Sequence, residues 1–166
     1  MAGTELAFEE FMAARWGPLF RTAYLLTGRR HDAEDLLQTA LARTCVRWDS
    51  IRDKGAADAY VRRTMVHLAQ RQWSRRGREV SSEHLPEPSH DELGLRADHL
   101  ALWGEIRKLP DRMRATLVLR YFEDLSVTAT ARELGCSEGA VKSQTHHALR
   151  RLRAALPALE LSEELT

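Results

Sequence analysis

No stretch of these 166 residues approaches the roughly 18 uncharged apolar residues that a bilayer-spanning helix needs, so insertion into a membrane is not expected. The first ten residues carry Glu5, Glu9 and Glu10, and no basic residue precedes Arg15. That is the wrong charge for a secretory signal, and a cytoplasmic location is expected. Cysteine is scarce: Cys45 and Cys136 stand far apart, with no CxxC pair, and read as two reduced structural thiols. Also missing are a phosphate-cradling glycine loop and a nucleophile elbow. His84 and His90 fall where the helical pattern has stopped and a rigid site is hard to build. His146 and His147 are neighbours, which on a helix point about 100° apart. No metal, no cofactor and no enzymatic chemistry are therefore expected. Strand-like alternation and internal repeats are lacking as well.

What is present is an ordinary globular composition with an uneven charge. The apolar fraction of 43% is enough for a folded core. The net charge of +1 conceals two basic blocks, +5 over residues 61–80 and +3 over residues 126–153, with −4 over residues 81–100 between them. Two separate basic surfaces suit two contacts with a polyanion, although arginine runs also occur as plain solvated faces.

Apolar residues recur at helical spacing almost throughout. Phe8, Phe11, Met12, Leu19, Phe20, Ala23 and Leu26 form a first stripe that Gly28 ends, with Pro18 either kinking one helix or separating two. Asp32 reads as the N-cap of a second helix, with Ala33, Leu37, Ala40, Leu41, Cys45 and Trp48 facing inward. A third helix is expected from about Ala57 to Arg76, burying Val61, Thr64, Met65 and Leu68. The pattern then stops over residues 77–96, where Gly, Pro and Ser mix with five acidic residues. Periodicity resumes at Leu100, Leu102, Trp103 and Ile106, and Asp111 starts a further helix. The chain is expected to be all-α: a helical bundle over residues 5–76, an acidic flexible linker over 77–96, and a second bundle over 97–156.

The second bundle carries a helix-turn-helix. Ser126 can cap a short helix, Gly135 supplies a residue tolerant of positive φ at a tight turn, and Ser137 caps the next helix. Ala131, Gly135 and Val141 stand where close helix approach, the turn and the core anchor require them. Val141, Thr145, Ala148 and Leu152 then face inward. Gly139, Lys142, Ser143, His146, His147 and Arg150 face outward, with the donors a major-groove helix uses.

In the first bundle, Asp35, Thr39, Ala42 and Val46 point away from the second helix's own core face, with Leu36, Gln38 and Arg43 beside them. Such small and apolar groups either dock another protein or are covered within the bundle. On the third helix, Arg62, Arg63, Arg71, Arg75 and Arg76 surround His67, Gln70, Gln72 and Trp73. The arginines suit phosphates; Trp73 either stacks on an unpaired base or closes the small core.

Taken in order, these pieces resemble the bacterial sigma factors of the extracytoplasmic-function group, from about Phe8 to Ala155. Asp32-Ala33-Glu34-Asp35-Leu36-Leu37-Gln38 is similar to that family's polymerase-docking motif in region 2. Trp48 and the following loop, with Tyr60-Val61-Arg62-Arg63 through Trp73-Ser74-Arg75-Arg76, resemble its −10 reading and melting segment. Leu109-Pro110, Arg114 to Phe122 and the helix-turn-helix resemble region 4, with Gly139-Ala140-Val141-Lys142-Ser143 and His146 matching its recognition helix.

The resemblance implies core RNA polymerase and promoter DNA as partners, and it admits an anti-sigma protein as a third. It implies docking on polymerase through Asp32, Asp35, Leu36, Gln38, Thr39 and Arg43. It implies capture of unstacked −10 bases by the loop Asp49 to Gly55 together with Arg62, Arg63, His67, Gln70, Trp73, Arg75 and Arg76. It implies −35 reading by Gly139, Lys142, Ser143, His146, His147 and Arg150. The family often has Asn in place of His67 and Arg in place of Gln144 and His147, and Val127, Thr128 and Ala129 replace its usual acids. The promoter sequence therefore does not transfer from relatives. A stand-alone helix-turn-helix regulator accounts for residues 126–153 equally well, but it leaves the first bundle's basic block and the outer face of its second helix without roles.

Overall fold

A computed structural model describes residues 2–76 and 97–156, with side chains from residue 7 to 75 and from 101 to 156. These belong to two separate compact units. The expected linker over 77–96, with His84 and His90, and the acidic tail from Glu160 to Thr166 lie outside the described residues. Every regular element among the described residues is helical, and none of these helices is long and apolar enough to cross a membrane.

The first unit packs three helices against one another: α1 (Ala2–Thr27), α2 (Arg30–Val46) and α3 (Ala57–Arg76). Pro18 lies inside α1, which runs through it as one helix. Proline removes one backbone donor, and its neighbours Ala14 and Gly17 are exposed, so water can serve the freed carbonyl. Gly28, at φ +76°, ends α1 and donates its N–H to the Tyr24 carbonyl at 2.7 Å. Helix α2 begins earlier than expected. Arg29 occupies the cap position and its side chain does not cap the helix, while Asp32 sits inside the first turn, favourable there to the helix dipole. Cys45, expected in the core, is exposed, and Thr44 is buried in its place. The Thr44 hydroxyl donates to the Ala40 carbonyl at 2.8 Å, which removes the cost of burying it. Between α2 and α3, two short 3₁₀ turns occupy Trp48–Ser50 and Lys54–Ala56. Arg15 pairs with Asp58 at 2.7 Å, tying α1 to the start of α3.

The second unit holds α4 (Ala97–Arg107), α5 (Asp111–Leu117), α6 (Val127–Leu134) and α7 (Glu138–Ala155). Helix α7 packs against each of the other three. Trp103, Ile106, Leu119, Val141, Ala148 and Leu152 are among the buried residues of its core. Each large apolar side chain fully buried there contributes about 1.5–3 kcal/mol. Helix α5 does not stop at Leu117 but loosens into a π turn over Val118–Phe122. Asp124 follows at φ +52°, a left-handed conformation that Asp tolerates better than most residues. The Leu125 N–H then returns to the Leu119 carbonyl at 2.9 Å and aims the chain into α6.

Candidate nucleic-acid interface

The helix-turn-helix is built by local rules that the sequence already displays. The Ser126 hydroxyl accepts from the Ala129 N–H at 3.0 Å, and the Ser137 hydroxyl accepts from the Ala140 N–H at 3.1 Å. Each cap satisfies a donor that the first helical turn leaves free. Gly135 closes α6 at φ +65°, ψ +36°, and the Cys136 N–H donates to the Ala131 carbonyl at 3.0 Å. A side-chain contact adds to this corner: Thr128 Oγ1 donates to Glu138 Oε1 at 2.6 Å, joining the first turns of α6 and α7.

Nothing lies within 4 Å of the point where a Cβ at Gly135 would stand. The cost of Gly135→Ala is thus conformational alone, and it is expected to destabilise the second unit by about 1–2 kcal/mol. Chemical denaturation of the variant checks this; an unchanged midpoint contradicts the role assigned to this turn.

On α7 the two faces separate as expected. Val141, Ala148 and Leu152 are buried, with Leu149 added to them, and Thr145 is half-buried. Gly139, Lys142, Ser143, His146, His147 and Arg150 are all exposed, and Arg151 and Arg153 extend the basic surface. After Glu138 no acidic residue follows on this helix. The His146 and His147 rings lie edge to face with centroids 5.8 Å apart. In contrast, Arg114, part of the stretch that resembles region 4, is buried and unavailable to a partner. It pairs with Asp111 at 2.6 Å and donates to the Leu109 carbonyl at 3.3 Å, fastening α5 to the turn before it.

In the first unit, Arg63, His67, Arg71 and Arg75 are exposed on α3, while Arg62, Gln70 and Trp73 are half-buried. Trp73 thus neither completes a sealed core nor stands free. Arg76 ends α3, and its side chain lies outside the described residues. An open cleft of about 410 Å³, not apparent from the pattern along either helix, lies between α2 and α3 and is lined by Arg43, Val46, Arg47, Tyr60, Thr64, His67, Leu68 and Arg71. It joins Arg43, assigned above to a different surface, with His67. Three guanidinium groups at a cleft with an aromatic ring and two aliphatic side chains suit an anionic ligand with a flat, partly apolar body. The signal was available in the spacing of Thr64, His67, Leu68 and Arg71 on α3, but the α2 partners only become visible once the two helices are packed.

The outer face of α2 settles one alternative. Asp35, Thr39, Ala42 and Val46 are all exposed, Val46 at 88% of its surface, so the bundle does not cover them. Gln38 and Arg43 are exposed and Asp32 is half-buried. Leu36, expected on this face, is a correction: it is 1% exposed and belongs to the core. It lies one position, about 100°, from Asp35 and Leu37, and the inward stripe of α2 is wide enough to take in both leucines. Asp35 is approached by His31 Nε2 at 3.4 Å, one helical turn earlier.

Residues 14–79 match the family described as sigma-70 region 2, and residues 99–152 match sigma-70 region 4. The RNA polymerase sigma-E factor of Streptomyces coelicolor is 45% identical over 161 residues, covering 96% of this chain and 91% of that protein. A second relative, the ECF (extracytoplasmic-function) RNA polymerase sigma factor SigL of Mycobacterium tuberculosis, is 32% identical over 160 residues, covering 92% of this chain and 88% of its own length. The chain belongs to the extracytoplasmic-function sigma factors. The fold is shared with the sigma factor RpoE of Bartonella quintana, solved in complex with the anti-sigma factor NepR. The TM-score is 0.69 at 22% identity, covering 91% of this chain and 97% of that one. The two family matches place a known transcription-initiation region on each unit of this sigma factor. A stand-alone helix-turn-helix regulator accounts for the second unit only and is set aside.

Proposed function

We propose that this sigma factor reads its promoter with two faces and holds polymerase with a third. The observation that carries the reading is the complete sorting of α7. Every expected −35 contact residue, Gly139, Lys142, Ser143, His146, His147 and Arg150, is exposed, opposite a buried anchor of Val141, Ala148 and Leu152. A helix so divided presents donors to base edges while its other side holds it rigid. The −10 element is taken by the loop Asp49 to Gly55 together with α3, through Arg62, Arg63, His67, Gln70, Trp73, Arg75 and Arg76, with unstacked bases received by the loop and by the cleft beside His67. Arginines there hold phosphate and the apolar floor receives the ring, offsetting the few kcal/mol that unstacking costs.

Core RNA polymerase docks on α2 through Asp32, Asp35, Gln38 and Thr39, with Arg43 and Val46 at the border with the cleft. Residues 5–76 act as region 2, residues 77–96 as a tether, and residues 97–156 as region 4. The protein works in the cytoplasm and makes no bond itself, since RNA synthesis belongs to the polymerase. An anti-sigma protein is a further partner of the proposal, by analogy with the fold relative solved beside one. Gel filtration with purified core RNA polymerase tests the central step. Co-elution as a stoichiometric complex is expected, and separate elution at micromolar concentrations of both contradicts it.

A further inference from the structure

We infer that Lys54 is a positioning residue that locks the loop between α2 and α3 into the shape in which it receives an unstacked base. This inference rests on the proposal that the loop Asp49 to Gly55 meets the melted −10 strand. Trp48, at the start of the loop, is 3% exposed and immobilised from beneath. Its ring meets Phe8 edge to face at 5.2 Å and Phe11 at 5.3 Å, both from α1. Lys54, six residues later, reaches back across the loop: its ammonium lies 4.3 Å from the Trp48 ring centroid and donates to the Trp48 carbonyl. One side chain therefore closes the loop through two contacts on a single fixed anchor.

Local bonds set the corners. The Ser50 hydroxyl donates to the Arg47 carbonyl at 2.8 Å, and the Asp53 carboxylate accepts from the Gly55 N–H at 2.9 Å. A Cβ at Gly55 would stand 3.1 Å from that carboxylate oxygen, so the corner is fitted closely to glycine. At the tip, Arg52 is exposed and Ile51 half-buried. A loop already closed does not have to be ordered when the base arrives, so more of the contact energy goes to holding the base. Lys54 itself is exposed and outside the core, so its removal leaves the bundle standing.

The test uses the full chain assembled with core RNA polymerase on a duplex promoter recovered by transcript-start sequencing. 2-Aminopurine in the −10 non-template strand reports unstacking. Lys54→Met, which keeps the stem and loses the charge, is expected to lower the equilibrium unstacking signal about fivefold, the loss of one side chain's preordering. Lys54→Arg, which keeps a cation over the ring, is expected to restore most of it. Melting temperature and polymerase affinity should stay at their original values in both. A full signal in Lys54→Met overturns the inference, as does a parallel fall in melting temperature, which would make Lys54 merely structural. Arg52→Asp at the tip separates the two layers. If it leaves the signal untouched, the loop does not meet the strand and the underlying reading fails. If it lowers the signal while Lys54→Met does not, the loop reading stands and the clamp alone is wrong.

Discussion

Asp35→Lys is expected to abolish assembly with core RNA polymerase while the protein stays folded. Asp35 lies on the exposed face of α2, its side chain 61% exposed and approached by His31 one turn earlier. A substitution at such a site changes stability by less than about 0.5 kcal/mol. If this face docks, the reversed charge confronts the basic groups that the carboxylate would have met, and like-charge juxtaposition in an interface costs several kcal/mol. The affinity should therefore fall about a hundredfold or more. Val46→Asp tests the same face through a different force. Val46 is 88% exposed, so the change is neutral for folding but desolvates a carboxylate in the complex. Titration of labelled protein with core polymerase measures both. Normal affinity in both variants moves the docking face elsewhere on the first unit.

The second large effect separates the two DNA-facing surfaces. Lys142→Ala and Arg150→Ala on α7 are each expected to weaken binding to the −35 element by about 1–3 kcal/mol, and to relax preference at the contacted base pairs. Both side chains are exposed and outside the core, so the loss is one of contact rather than of folding. Arg63→Ala and Arg75→Ala on α3, also exposed, should instead weaken binding across sequences. Each is expected to reduce the slope of affinity against salt by about one. Measuring each variant against promoter and random DNA over a range of salt distinguishes the two patterns. If both pairs affect random DNA alike, the division of labour between α7 and α3 is wrong.

Much of this architecture was legible from residue chemistry, and the failures have physical reasons. Helix α3 falls at Ala57–Arg76, the expected range, because its apolar spacing is long and unbroken. The helix-turn-helix was readable nearly to the atom, because Ser126, Gly135 and Ser137 each perform a local task that does not depend on the rest of the fold. Helix α2 was less clear. Asp32 has the chemistry of a cap but is used in the first turn, since Arg29, extended after the left-handed Gly28, takes the cap position and the helix starts at Arg30. Its inward stripe proved broader than a single line of residues, which takes Leu36 away from the docking face and buries Thr44 instead of Cys45. Thr44 escapes a polarity-based reading because its hydroxyl is satisfied by its own helix. Pro18 left two readings open, and α1 runs through it as one continuous helix. The π turn at Val118–Phe122 and the left-handed Asp124 carry no strong sequence signal. The cleft between α2 and α3, and the reach of Lys54 to Trp48, depend on which elements become neighbours, so a pattern read along one helix cannot contain them.

As a sigma factor, this chain directs polymerase to start sites. The direct measurement is transcription in vitro with the purified protein, core RNA polymerase from the organism that carries it, and a library of its genomic fragments, with transcript starts sequenced. The prediction is a set of starts absent without the protein and sharing paired −35 and −10 elements upstream, lost with Asp35→Lys. No new starts, from polymerase that is active with another sigma factor and DNA that this protein still binds, would contradict it.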